Sequence, residues 1–365
     1  MPSPIPAPDE TASSGRLQIS RRQLLGGLGL GAAGVVTLAP AAAGAAAAAP
    51  ARALAAPARA LATPADRFGR MFPNLLPFIP APDDRVRLAL SDMGRVGGLM
   101  DANDNLSVGP IALITDPAQS AGNRDNPTHT AGTTFLGQFL DHDMTLDATS
   151  SLGQPTEPEN TPNLRTPAFD LDSVYGGGPT GSPALYESDR VKLRLESGGL
   201  FEDVPRQANG TAILGDHRND ENIIIAGLQA AFIAFHNRVV DQLRGQGVPA
   251  ARQFAEARRL VTWHYQWIIL NEFLPQIVGS ATVRAILTGG RRWYRPEPGP
   301  AFIPVEFQGA AYRFGHSMVR PSYRANLAGN PDGSPFFGMV FDPAGAGQAD
   351  PVDLRGGRRA RRRFI

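Results

Sequence analysis

The sequence predicts a mainly α-helical domain with little β structure, and three observations carry that prediction. Apolar residues recur at helical spacing in three long segments, 131–146, 221–243 and 251–274. Strand signals are few and short, and there is no internal repeat or heptad seam. The intervening segments are rich in Pro and Gly, 33 and 40 of 365 residues, so long loops join the helices.

The drop in complexity near residue 65 divides the chain into an appendage, 1–65, and one large domain, 66–365. Ser20-Arg21-Arg22-Gln23-Leu24-Leu25 precedes a Gly/Ala/Leu/Val run and an Ala/Pro-rich stretch, which resembles a twin-arginine export signal. The run is Gly-rich and falls short of the roughly 20 strongly apolar residues of a membrane anchor, so contact with the membrane is expected only during export to a secreted or extracytoplasmic location. With 35 basic and 34 acidic residues, nothing points to nucleic acid. Cysteine is absent, which excludes disulfides, thiolate-bound metals and thiol nucleophiles and leaves His and carboxylates as ligands.

The first helix carries Phe135, Leu136, Phe139 and Leu140 on an apolar face, and Asp141-His142-Asp143 beside it sets an imidazole between two carboxylates. Gln138, Asp141 and His142 lie three and four residues apart and share one side. Asp143 lies about 200° around the helix from Asp141 and must address another site. The second helix presents Ile224, Leu228, Ala231, Phe235, Val239 and Leu243 along one face and is opened by Gly215-Asp216-His217-Arg218-Asn219-Asp220-Glu221. Arg218 and Glu221 share a face there, and an arginine at a helix start opposes the helix dipole. The third helix, with Trp263, Trp267, Leu270 and Phe273, is expected to stop at Pro275. A short amphipathic helix over 311–319 holds His316 among apolar neighbours. On the residues alone, a hydrogen-bonded core histidine describes His316 better than a ligand does.

Three strings, GQFLDHD at 137–143, GDHRNDE at 215–221 with its helix ending FHNRVVDQL, and YRFGHSMV at 312–319, resemble in order and separation the animal-type haem peroxidases of the bacterial branch. The resemblance runs from about Phe68 to about Leu354. It implies a helical peroxidase domain with haem b, in which His142 matches the distal histidine that moves a proton between the two oxygens of hydrogen peroxide. Arg218 matches the arginine that stabilises charge on the departing oxygen, and Gln138 a glutamine near the distal water, where it reads equally as a structural bridge. His316 matches the proximal ligand to the iron, with Arg313 beside it on the cofactor side. Asp141 and Glu221 match carboxylates that form ester bonds to haem methyls in mammalian members, or that only hydrogen-bond. Asn222 stands where myeloperoxidase-like members have Met, so no sulfonium link is implied.

The segment Thr166-Pro167-Ala168-Phe169-Asp170-Leu171-Asp172 resembles the calcium loop of that family, with Asp143 supplied from the first helix. Thr166, the Ala168 carbonyl, Asp170 and Asp172 place oxygen donors at alternate positions, which suits Ca²⁺; a plain acidic turn is the alternative. The ion would brace the first helix on the side away from His142. His236, about four turns along its helix from Glu221, reads as a structural histidine, and the 101–105 stretch as a polar turn.

The resemblance fails at the C-terminus. The chain stops 49 residues after His316, whereas family members continue through helices that flank the proximal side and supply an Asn to the proximal histidine. It therefore reads as a C-terminally shortened member, the basic stretch from Arg355 being the start of a family segment. The expected activity is reduction of hydrogen peroxide with oxidation of a small phenolic, aromatic or halide donor. Two alternatives stand. One is a fatty-acid oxygenase of the same superfamily, although cyclooxygenases place a radical tyrosine three residues before the proximal histidine and Arg313 occupies that position here, with Tyr312 one residue further. The other is a non-catalytic haem- or calcium-binding protein.

Overall fold

Residues 67–76, 83–109, 112–119, 128–151, 156–197, 202–294, 301–320 and 323 are described by a computed structural model. The export-like segment and the basic C-terminal stretch lie outside them. In chain order the α-helices of five or more residues are α1 (Asp84–Gly94), α2 (Ala131–Met144), α3 (Ile223–Gly245), α4 (Ala250–Ile268), α5 (Leu274–Val278), α6 (Ser280–Gly289) and α7 (Val305–Gly309), with single helical turns at Ala112–Thr115, Asp172–Tyr175 and Gly178–Gly181 and 3₁₀ turns that include His217–Asp220 and Ala311–Met318. Strand content among the described residues is one two-residue pair, Glu196–Ser197 against Glu202–Asp203, antiparallel. The mainly α prediction therefore holds. No helix among the described residues is long and apolar enough to cross a membrane.

The core forms where α2 lies across the α3/α4 pair. Phe139 of α2 stacks on Phe232 of α3 with centroids 5.0 Å apart, and Tyr265 of α4 meets both rings edge-on at 6.3 and 5.5 Å. Such aromatic pairs contribute about 0.5–1.5 kcal/mol each beyond the area they bury. Asn163 then ties down the end of α2, accepting from Leu146 N–H at 2.9 Å and donating to the Met144 carbonyl at 2.8 Å. These contacts give the polar side of α2 a fixed support.

Four expectations need correction. The second helix begins at Ile223, because Asn222 caps it by accepting from the N–H groups of Ile224 and Ile225; the 3₁₀ turn at His217–Asp220 precedes the cap. Its most buried row includes Ile225, His236 and Val240, while Ala231 and Phe235 are half-buried. On α4 the indoles of Trp263 and Trp267 face outward, 55% and 53% exposed, and Ala257, Val261 and Tyr265 take the core. The helical path also does not stop at Pro275. A π turn at Ile269–Phe273, with Leu274 N–H on the Ile269 carbonyl, shifts the register so that Pro275 falls in the first turn of α5, where no N–H is required.

Candidate functional site

One cavity of about 470 Å³ is lined by Gln138, Asp141 and His142 of α2, by Arg218 and Glu221, and by Arg313 and His316 of the Ala311–Met318 turn. Residues up to 178 positions apart are thus joined in one site. Phe273, Ile277, Tyr312, Phe314, Met318 and Val319 supply apolar wall. The volume lies within the range of roughly 300–1,000 Å³ usual for cofactor and ligand pockets.

His142 is buried and well defined. Its Nδ1 lies 2.8 Å from Asn219 Oδ1, and Asn219 Nδ2 donates in turn to Gln229 Oε1 at 2.8 Å. Asn219 Oδ1 therefore accepts, the proton sits on Nδ1, and Nε2 keeps its lone pair, 3.8 Å from Glu221 Oε2. Burial, with the Arg218 charge second, pushes the imidazole pKa down to about 4, so it is a neutral base near pH 7. Asn219 and Gln229, at 0% and 1% exposure, escaped the sequence reading. Their signal is faint, an Asn inside an already polar string and a Gln on an apolar helix.

The arginine at the helix start now has a structural explanation. Asp216 caps the 3₁₀ turn by accepting from Arg218 N–H at 2.9 Å, and its two oxygens receive Arg218 Nε and Nη2 at 3.0 and 2.8 Å. The paired guanidinium, with the second arginine Arg165, holds the Asp216 carboxyl well below the usual carboxylate range despite its burial. Arg218 Nη2 also donates to the His142 carbonyl at 3.1 Å, which fastens the guanidinium to α2.

Across the cavity, Gln138 Nε2 donates to Glu221 Oε2 at 2.9 Å, while the buried Gln138 Oε1 has no hydrogen-bond partner. Burial raises the Glu221 pKa. Asp141 accepts from Thr145 Oγ1 at 2.9 Å and lies 3.8 Å from Arg313 Nη1. Tyr312 donates to the Gly137 carbonyl at 2.7 Å, which pins the His316 turn against α2. His316 itself is exposed toward the cavity, and its ring has no hydrogen-bond partner among the described residues. It is not the satisfied core histidine that the residues alone described. His236 is: Nε2 lies 2.9 Å from the Val191 carbonyl and Nδ1 3.1 Å from the Tyr175 hydroxyl, with the ring fully buried.

Asp143 leaves this cavity, as its angle on the helix requires. Its carboxylate, with those of Asp170 and Asp172, forms a cluster whose oxygens lie within 4.8 Å of one another. Asp143 accepts from Leu171 N–H at 3.1 Å and from Ser173 Oγ at 3.0 Å. Thr166 donates from Oγ1 to Asp170 at 2.8 Å and from N–H to Asp172 at 3.1 Å, and Ala168 N–H closes the turn on the Thr166 carbonyl at 2.7 Å. Leu171 between the two loop aspartates is held at φ +59°, a conformation costing an ordinary side chain about 1–2 kcal/mol. Burial first, then Asp172, raises the Asp143 pKa to about 7; burial raises Asp172 to about 6. A cation in the cluster would favour the ionised forms of Asp143 and Asp172. Asp101 accepts from the N–H groups of Gly97 and Asn103, in keeping with a polar turn.

Residues 148–344 match the animal haem peroxidase family model. The matched segment includes Arg218 and His316 and begins after α2, so it does not include His142. Among curated proteins the chain is 38% identical to a chorion peroxidase of Drosophila melanogaster over 168 residues, 41% of this chain and 21% of the relative. It is 30% identical to a peroxidase-like protein of Margaritifera margaritifera over 184 residues, 48% of this chain and 21% of the relative. The chain thus spans about a fifth of the length of these relatives. Among solved structures it is similar to a fatty acid alpha-dioxygenase of Oryza sativa, with TM-score 0.42 and 18% identity over 59% of this chain and 46% of that one.

Proposed function

Because the chain belongs to the animal haem peroxidase family, we propose that it holds haem b in the cavity lined by His142 and His316 and reduces hydrogen peroxide while oxidising a small organic or halide donor. The observation that carries this is the joining, in one cavity, of a neutral buried imidazole, a guanidinium and a second imidazole whose ring has no hydrogen-bond partner among the described residues. The residues fit the group. His316 would ligate the iron, Arg313 would meet the cofactor's polar edge, and the buried Gln138 Oε1 without a partner marks a place for a bound water or peroxide. Asp141 and Glu221 present carboxylates to the same cavity, the groups an ester link would use.

Bound haem supplies the iron that binds peroxide and takes up its oxidising equivalents. His142 Nε2 accepts the proton of the incoming hydrogen peroxide and returns it to the departing oxygen, while its Nδ1–H stays on Asn219. Arg218, fixed by Asp216, offsets the charge that develops on that oxygen. Deprotonated His142 is the working form. The rate of reaction with peroxide should therefore stay level as the pH falls from 7 to about 5 and decline through about pH 4, rather than near the ordinary histidine value of 6.5. A stopped-flow pH series with an acid limb near 6.5 would contradict the burial argument.

Asp143, Thr166, the Ala168 carbonyl, Asp170 and Asp172 would hold Ca²⁺ and brace α2 from its far side. Asp143→Asn separates this from an acidic turn by the sign of its effect. Without a cation the amide removes a carboxylate whose raised pKa already opposes ionisation, and the variant gains stability at pH 7. With calcium the variant loses stability, and a strong chelator lowers the melting temperature of the wild type while leaving the variant unchanged. Metal analysis of the folded protein would then find calcium only in the wild type.

The donor reaction is tested with haem-loaded protein, hydrogen peroxide and a phenol or iodide. Donor oxidation that requires both protein and peroxide is expected. Oxygenation of linoleate without added peroxide, and no donor oxidation, would favour the oxygenase alternative. Arg313 at the third position before His316, and the Tyr312 hydroxyl committed to Gly137, favour the peroxidase. The twin-arginine-like segment supports export of the folded protein.

A further inference from the structure

We propose that Arg165 and Asp216 couple the acidic cluster to Arg218, so that a divalent cation on Asp143, Asp170 and Asp172 controls how firmly the Arg218 guanidinium is held. The inference rests on the peroxidase reading above and concerns residues to which that reading gives no such role.

A single buried carboxylate serves two arginines. The Asp216 side chain has no exposed surface; Oδ1 accepts from Arg218 N–H and Nε and Oδ2 from Arg218 Nη2 at 2.8 Å, while Arg165 Nε lies 2.8 Å from the same Oδ2 as an ion pair, its N–H not aligned for a hydrogen bond. Arg165 in turn donates from Nη2 to the Gly215 carbonyl at 3.0 Å and holds Nη1 3.6 Å from Asp172 Oδ1. That Asp172 oxygen is buried and has no hydrogen bond. Charge therefore alternates without a gap: the acidic cluster, Arg165, Asp216, Arg218. The backbone is joined at the same place, since a Cβ on Gly215 would stand 2.5 Å from the Ser173 carbonyl. Only a glycine lets the segment bearing Asp216 lie against the turn that follows Asp172.

Arg165 stands between two anionic partners. When the three carboxylates carry no cation, their combined charge draws the guanidinium toward Asp172 and away from Asp216 Oδ2, the oxygen that also receives Arg218 Nη2. When a cation offsets that charge, Arg165 settles on Asp216 and the fork holding Arg218 is closed. These groups are mostly buried, so solvent screens them little. Arg165 and Asp216 are positioning residues: they act on Arg218 and touch neither peroxide nor donor.

The test uses the full chain and two readouts other than turnover: calcium affinity, by competition with a fluorescent chelator, and cyanide affinity of the haem-loaded protein, from the Soret shift. Arg165→Gln removes a positive charge a few ångströms from the cluster and is expected to tighten calcium binding by about tenfold or more. Calcium withdrawal should lower cyanide affinity in the wild type by about fivefold or more, and should have no such effect in Arg165→Gln. Unchanged calcium affinity, or an undiminished calcium effect on cyanide, overturns the proposal. If Arg165→Gln does not fold, Arg165→Lys decides. It keeps the charge, but one ammonium cannot hold Asp216 and reach Asp172 together, so the calcium effect must still collapse, and its persistence overturns the coupling. Calcium affinity read without added haem keeps the charge effect measurable even in a chain that binds no haem, which separates failure of the peroxidase reading from failure of this one.

Discussion

His142→Ala is expected to leave haem bound and to slow the reaction with hydrogen peroxide by roughly 10²-fold or more, because a positioned acid–base group contributes on that order. The prediction is specific to a base with one free nitrogen. Asn219 Oδ1 holds Nδ1–H at 2.8 Å, so the neutral ring presents Nε2 to the cavity. Asn219→Leu should reproduce part of the loss, since an untethered ring divides its time between tautomers and orientations. Arg218→Ala should also cost roughly 10²-fold, through charge stabilisation rather than proton transfer. The three variants can be told apart by pH dependence: the acid limb near 4 belongs to His142 and should disappear only with it. Stopped-flow rates equal to wild type in His142→Ala or Arg218→Ala would remove the role assigned to that residue.

His316→Ala should abolish stable haem binding. Among the described residues no other imidazole outside α2 lines the cavity, and His236 is fully buried with both ring nitrogens committed to Val191 and Tyr175. His236→Ala should accordingly retain haem, while losing stability by leaving the Tyr175 hydroxyl and the Val191 carbonyl without partners, about 1–3 kcal/mol for each buried group. Denaturant melts and Soret absorbance measured on the pair separate ligation from folding. Haem retained with an unchanged Soret band in His316→Ala would show that the axial ligand lies elsewhere.

Much of this site was legible in spacing alone. Gln138, Asp141 and His142 fall on one side of α2 because they are three and four residues apart, and Asp143 falls on the other for the same reason; the cavity and the acidic cluster divide them along that line. What spacing could not supply was partners distant in sequence. Asn219 meets His142 across 77 residues, and Arg165 meets Asp216 only after the loop following α2 folds back. Arg218 looked misplaced against the helix dipole until Asp216 appeared as its cap and counter-ion. Composition misled on α4, where Trp263 and Trp267 are the largest apolar residues and lie outside, while Tyr265 fills the core against Phe139 and Phe232. Pro275 was read by its usual effect, and the π turn that accommodates it has no local sequence mark.

The central claim is that the cavity shared by His142 and His316 is a haem site. The visible absorption spectrum of the protein, purified after expression with haem supplied, tests it most directly. The account predicts a Soret band with one haem b per chain, a shift of that band on adding hydrogen peroxide, and loss of the band in His316→Ala. Protein that folds, binds calcium and shows no Soret absorbance at any haem concentration would contradict it.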